Sequence, residues 1–153
     1  MIVIGVDPGK ITGIAFWCSP DAAARPWLQG GPWLLTEVPA YKAVKTIRMV
    51  MRSCVPTRIA CERFVQGSGR RAMTHQPEAP ELTGELRELA RAYDCHFSLQ
   101  LPGPAKKMAP NSVLKKIGAY LPTPDGHAND GARQVIRALA LDHKPYFVEL
   151  LGI

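Results

Sequence analysis

Apolar residues along the chain alternate between short β-branched runs and longer stretches with helical spacing. The first run, Ile2 to Val6, has no charge before Asp7 and predicts a strand covered on both faces. A turn is expected next, because Pro8 fixes φ at its first corner and Gly9 can take a positive φ at the second. The chain should then reverse into a second strand from Thr12 to Trp17, which completes a hairpin.

The following segments predict a strand, a helix and another strand. A third strand is expected near Trp33 to Val38. From Ala40 to Cys54 apolar residues recur every three or four positions, which is the spacing of a helix. The other side of this helix carries four cations, which can follow a phosphate backbone or simply face solvent: Lys42, Lys45, Arg48 and Arg52. Pro56 ends the helix, and Arg58 to Glu62 follows as a short strand.

The middle of the chain predicts two more helices and a fifth strand. The helix from Glu78 to Tyr93 has a leucine side that can pack on the sheet or on a second subunit: Leu82, Leu86 and Leu89. Cys95 to Leu101 alternates as a strand does, and it leads into a stiff turn that presents two lysines, Lys106 and Lys107. Asn111 or Ser112 can cap a short helix through Tyr120, which carries Lys115 and Lys116.

A last helix is predicted from Gly126 to Asp142, with Asp125 as its cap. His127 and Asp130 are three residues apart and therefore share one face of its first turn. Gly131 is small enough to let the start of the helix lie close against the sheet. The residues left for solvent are mainly two cations, Arg133 and Arg137. The acids at this end can carry chemistry, or they can merely satisfy the helix N-terminus.

Composition and charge limit the options further. A chain of 153 residues with 46% hydrophobic content predicts a single domain over residues 1–153. The net charge of +6 indicates a polyanionic partner, nucleic acid in particular, or a soluble basic protein. Four cysteines without a C-x-x-C pair are typical of reduced thiols: Cys18, Cys54, Cys61 and Cys95. With neither a signal peptide nor a membrane span in the pattern, we expect a soluble protein in a reducing compartment.

Two carboxylates follow two strands that should be neighbours. A right-handed crossover places the strand that ends at Glu62 beside the strand that ends at Asp7. Open α/β sheets hold their sites at such strand ends. Two carboxylates there repel and raise each other's pKa, so the pair favours a divalent metal. Each acid also has a local alternative, since Asp7 can simply open the turn and Glu62 can pair with Arg58 or Arg63.

The segment from Arg63 to Gln76 has the composition of a nucleic-acid-binding loop. It contains two glycines and two adjacent cations, Arg70 and Arg71, which predict a mobile segment that orders on a phosphate backbone. Phe64 stands at its mouth. This ring can stack on an unpaired base or belong to the core.

Three groups of residues, taken together, resemble the RuvC-type Holliday junction resolvases of the ribonuclease H-like superfamily. They follow the order of that family over nearly the whole chain: Ile4 to Gly9 with Thr12-Gly13, Ile59 to Glu62, and His127 to Ala132. The resemblance implies an α/β fold, with a ribonuclease H-like mixed five-stranded sheet and helices on both faces.

The resemblance also implies a metal centre. Asp7, Glu62 and Asp130 would ligate two Mg²⁺ or Mn²⁺ ions, with His127 at a position that the family fills with Asp or His. His127 would then ligate a metal or assist proton transfer. Lys106 or Lys107 matches a family lysine that contacts the scissile phosphate.

Two positions depart from the family's pattern. The second family lysine falls near Asn111 and Ser112, so that it is missing here or replaced by Lys115 or Lys116. The family places a junction-probing aromatic residue where this chain has Val65, and Phe64 stands one position earlier. Five residues are therefore the expected DNA contacts: Phe64, Arg70, Arg71, Lys115 and Lys116.

The function that the resemblance implies is a Mg²⁺-dependent endodeoxyribonuclease. It would act as a homodimer that nicks opposing strands of four-way junctions, without a nucleotide cofactor or a membrane, in a bacterial or phage-infected cytoplasm. The leucine side of Glu78 to Tyr93 is the expected dimer face. Alternatives are a related ribonuclease H-like nuclease acting on other branched DNA, flaps or structured RNA, and a non-catalytic junction-binding protein. An actin-like ATPase would need a second domain, for which there is no room.

Overall fold

The computed structural model describes residues 1–20, 31–53, 56, 58–64, 77–142 and 144–152. Most of the predicted loop, including Arg70 and Arg71, lies outside the described residues, as does Cys54. Five strands and six helices are described: β1 Ile2–Asp7, β2 Ile11–Cys18, β3 Trp33–Pro39, α1 Ala40–Ser53, β4 Arg58–Glu62, α2 Glu78–Ala92, β5 His96–Gln100, α3 Pro102–Met108, α4 Asn111–Lys116, α5 His127–Asp142 and α6 Lys144–Leu151.

The strands form one mixed sheet in the order β3-β2-β1-β4-β5. β1 is antiparallel to β2 and parallel to β4, in a register that sets Val6 opposite Cys61. β3 and β5 form the two edges. The predicted placement of β4 beside β1 is therefore confirmed, and the carboxyl ends of these two strands lie at the same edge of the sheet.

Helices cover both faces of the sheet, as predicted. On one face α1 and α2 pack on alternate residues of β1 and β2, such as Ile4 and Phe16. On the other face α5 packs on the intervening residues, such as Val3 and Trp17. Because β1 and β2 are buried on both sides, their sequences are mostly apolar rather than alternating.

The backbone of α5 lies directly on β1 and β2. A Cβ atom at Gly5 would overlap the carbonyl of Gly131, and one at Gly13 would overlap the carbonyl of His127. Glycine is required at both strand positions because only hydrogen leaves room for the helix backbone. This close approach brings the first turn of α5 to the carboxyl end of β1.

The leucine side of α2 is part of the core, so the predicted dimer face is wrong. Leu82, Leu86 and Leu89 are 3%, 0% and 4% exposed, and they pack with α1 and the sheet. The helical spacing of these leucines was compatible with either partner. The leucines pack on the sheet because α2 lies on the same face of it as α1.

Several local predictions also differ from the structure. Gly9 does not use a positive φ, and the turn is closed by the Thr12 hydroxyl, which donates to the Gly9 carbonyl over 3.0 Å. The expected stiff turn is helix α3, because Pro102 fits the first turn of a helix. The next helix, α4, follows Pro110 without a side-chain cap, so neither Asn111 nor Ser112 caps it.

Helix α6 was not predicted at all. It packs on the α5 side of the sheet, where the Tyr146 ring meets the Trp17 ring edge-on with centroids 5.8 Å apart. Within the described part of the chain, no helix is both long and apolar enough to span a membrane.

Candidate active site

An open cleft of about 460 Å³ lies at the carboxyl ends of β1 and β4. Asp7 and Glu62 are the last residues of these strands, and both line the cleft. His127, the first residue of α5, lines it as well. The structure thus brings together three of the four expected metal ligands in one cavity, through strand pairing and the close packing of α5.

Asp7 is paired with His127. The distance between His127 Nδ1 and Asp7 Oδ2 is 2.8 Å, and the two side chains are 34% and 13% exposed. Burial raises the pKa of Asp7, while the hydrogen bond from His127 acts in the opposite direction. The same hydrogen bond raises the pKa of His127. Both shifts favour a proton held by the pair.

Glu62 has an unusually high proton affinity. Burial, together with the nearby charges of Asp7 and Asp130, raises its pKa from 4.5 to about 7. Gln134 Nε2 donates to Glu62 Oε2 over 2.6 Å and holds the carboxylate in place. Gln134 is fully buried on α5, and its role could not be predicted from the sequence because a single buried amide leaves no periodic signal.

Asp130, in the first turn of α5, has two cationic partners. Arg133 Nη1 is 2.5 Å from Asp130 Oδ1, and Lys106 Nζ is 3.0 Å from Asp130 Oδ2. These three residues line a second cavity of about 380 Å³ next to the cleft. Arg133 was predicted to face solvent, and that prediction is wrong because only 11% of its side chain is exposed.

Glu37 on β3 fixes the start of α5. Its Oε1 accepts a hydrogen bond from the Ala128 backbone N–H over 3.0 Å and another from the Thr123 hydroxyl over 2.7 Å. It therefore satisfies a free N–H of the first helical turn, the role predicted for Asp125. The available signal in the sequence was a charged residue inside a largely apolar strand.

The remaining expected site residues are more dispersed. Phe64 lines the cleft and is 38% exposed. Lys107 is exposed on α3 and lines neither cavity. Lys115 lies over the Tyr120 ring, 4.8 Å from its centroid, and Lys116 donates to the Leu151 carbonyl over 3.2 Å. Neither of these two lysines lines the cleft.

The donors at the cleft suit a hard divalent cation. Asp7 and Glu62 offer carboxylate oxygens. Burial raises the pKa of both, and the charge of Asp7 raises that of Glu62 further, so a cation between them would stabilise their ionised forms. Asp130 is held differently, since both of its oxygens already face cations. Among the described residues, no group of three or more His, Cys, Asp or Glu side chains is arranged to hold a metal.

Comparison with known proteins identifies the fold. No protein-family model and no curated protein sequence matches the chain. Two solved structures of RuvC from Thermus thermophilus are similar to it, each at 15% sequence identity. The structure in complex with a Holliday junction substrate has a TM-score of 0.63 and covers 94% of this chain and 96% of its own. The other has a TM-score of 0.58, with coverages of 92% and 96%. The chain therefore has the RuvC fold, as the sequence motifs predicted.

Proposed function

We propose that the protein is a divalent-metal-dependent endonuclease that acts on four-way DNA junctions. The observation that supports this most strongly is the meeting of Asp7, Glu62 and His127 in one cleft of a RuvC fold. The net charge of +6 suits a polyanionic substrate. The protein would work in the cytoplasm of a bacterial or phage-infected cell, where such DNA is present.

Asp7 and Glu62 would hold the metal, with His127 beside them. A bound divalent ion supplies activation of water and stabilisation of the leaving oxygen of a phosphodiester. His127 orients Asp7 through its Nδ1 and can take up a proton released in the cleft. Gln134 keeps Glu62 in position through its amide. Two-metal hydrolysis, which the sequence resemblance implies, also requires Asp130 to release at least one of its cationic partners.

Lys106 is the best candidate for contact with the scissile phosphate. Its side chain is 54% exposed, and its ammonium group lies at Asp130, next to the cleft. A long, half-exposed lysine can turn from a carboxylate to a phosphate oxygen at small cost. Phe64, exposed at the mouth of the cleft, can stack on an unpaired base. We assign this stacking role to Phe64 in place of an aromatic residue at position 65.

Nicking of two opposing strands requires two active sites, so we propose that the protein acts as a homodimer. The buried leucines of α2 cannot form the contact between subunits. A second copy would have to use another surface of the molecule.

The decisive experiment uses a fixed four-way junction labelled on each strand in turn. Asp7→Asn should retain junction binding and lose cleavage by at least about 100-fold, because the amide is a poor ligand for the metal. Asp94→Asn, which changes an exposed acid at a backbone φ of 51° that asparagine tolerates, is the matched control and should cleave normally. Symmetric nicks that need both Mg²⁺ and Asp7 would support the proposal.

Other outcomes would indicate a different function. Full cleavage by Asp7→Asn would refute the assignment of the centre. Tight binding without nicks in either Mg²⁺ or Mn²⁺ would indicate a junction-binding protein. Equal or faster cleavage of flaps or structured RNA would indicate a related nuclease with a different substrate.

A further inference from the structure

The surroundings of Asp130 differ from those of the other two carboxylates. One oxygen of Asp130 faces Arg133 and the other faces Lys106, at 2.5 Å and 3.0 Å. Glu62, by contrast, accepts from the neutral amide of Gln134. Asp7 accepts from His127, which can be neutral. The negative charge of Asp130 is therefore already balanced by the chain itself.

Arg133 cannot easily leave Asp130. Its Nε donates to the Ala109 carbonyl over 2.9 Å, and its Nη2 donates to the side-chain oxygen of Asn111. The guanidinium is thus held by three acceptors in a site where 11% of the side chain is exposed. Moving it away would leave buried donors without partners, which is costly. A divalent cation placed on Asp130 would therefore lie beside a fixed positive charge and be repelled.

The three carboxylates also line two different cavities. Asp7 and Glu62 line the larger cleft, whereas Asp130 lines the neighbouring cavity together with Lys106 and Arg133. The described residues also contain no group of three metal-donor side chains close enough to share an ion. Asp7 and Glu62 are thus open to a cation, whereas Asp130 is already paired with two cationic side chains.

We propose that the protein without DNA binds one divalent cation, at Asp7 and Glu62, and that Arg133 and Lys106 supply the positive charge at Asp130 that a second ion would otherwise supply. This inference rests on the proposed metal-dependent function. It differs from the two ions implied by the sequence resemblance, because those ions require Asp130 as a free ligand.

The test counts Mn²⁺ ions bound to the purified full-length protein in the absence of DNA. Electron paramagnetic resonance of free Mn²⁺, with calorimetry in parallel, should give one ion per chain for the wild type. Arg133→Met should raise the number to two, because Asp130 is then released. Arg137→Met is the matched control, since this arginine lies one turn further along α5 and donates to the Leu101 carbonyl, and it should leave the number at one.

Two carboxylate variants locate the ion. Asp7→Asn should weaken Mn²⁺ binding at least about tenfold, as expected for loss of a ligand. Asp130→Asn should leave the affinity near its wild-type value. Circular dichroism checks that each variant is folded. If Arg133→Met fails to fold, Arg133→Gln replaces it, because the amide removes the positive charge and keeps a hydrogen-bond donor at this position.

The possible outcomes separate this inference from the proposed function. Two ions on the wild type, with one lost in Asp130→Asn, would overturn the inference and leave a metal-dependent nuclease standing. One ion on the wild type and also on a folded Arg133 variant would overturn the role given to this cation. No ion on the wild type, together with cleavage in the presence of EDTA, would overturn the proposed metal dependence itself.

Discussion

Glu62→Gln should make the metal-free protein more stable at neutral and alkaline pH. The substitution keeps the size of the side chain and an oxygen that can accept from Gln134, but it removes one charge from a cluster of carboxylates. The pKa of Glu62 is raised from 4.5 to about 7, mainly by burial and then by the charges of Asp7 and Asp130. The ionised form is therefore disfavoured in the folded protein.

The sign of the pH dependence follows from proton binding. Between pH 4.5 and about pH 7 the folded protein holds a proton on Glu62 that the unfolded chain has released. The free energy of unfolding therefore falls as the pH rises through this window. The full difference in pKa corresponds to about 3 kcal/mol. Water in the open cleft screens part of it, so we expect a net gain of roughly 1–2 kcal/mol for Glu62→Gln above about pH 7.

Urea denaturation in EDTA, repeated from about pH 4 to about pH 8.5, measures this effect. The wild-type protein and Glu62→Gln should have equal stability at the acid end and separate as the pH rises. Glu85→Gln, which removes an exposed charge from the middle of α2, is the matched control and should run parallel to the wild type. Added Mg²⁺ should stabilise the wild type more than Glu62→Gln, because the carboxylate is a ligand.

A constant difference between Glu62→Gln and the wild type over the whole pH range would refute this reasoning. It would mean that Glu62 titrates alike in the folded and unfolded chains. A loss of stability in Glu62→Gln at high pH would also contradict this reasoning. It would show that the ionised Glu62 carboxylate is stabilised in the metal-free fold.

Three further predictions concern the framework of the site. Gly5→Ala should lower the free energy of unfolding by about 3 kcal/mol, because its Cβ meets the Gly131 carbonyl. Gly84→Ala, in open space on α2, should raise it by about 0.5–1 kcal/mol. Urea denaturation measures both changes. Glu37→Ala should lower the thermal midpoint by the equivalent of about 1–2 kcal/mol, as loss of a helix cap does. Leu86→Ala should cost about 3 kcal/mol without changing the sedimentation coefficient, and dissociation into smaller species would contradict its place in the core.

The strands and α5 were predictable from the sequence because each has a strong local signal. β1 and β2 are mostly apolar runs, and α5 shows two stripes that include small residues. The ends of β1 and β4 could also be placed together, since the crossover rule leaves few alternatives. The positions of Asp7 and Glu62 at one edge follow from these elements.

The environment of Asp130 was not predictable in the same way. The spacing along α5 placed Arg133 on a polar side, yet its acceptors come from Ala109 and Asn111, which are more than twenty residues earlier. Glu37 likewise reaches α5 across 91 positions of sequence. Such contacts depend on the packing of distant elements, whereas periodicity reports only on the element that carries it.

The contact of α5 with bare strand backbone at Gly5 and Gly13 also determines how the molecule moves. Side chains between two elements allow them to slide a little, but two main chains in direct contact cannot shift without collision. The strand ends and the first turn of the helix therefore move as one rigid body. Their amide hydrogens should exchange with solvent only when the whole domain opens. Any adjustment to the shape of a bound molecule must then come from that molecule or from the segments around the cleft.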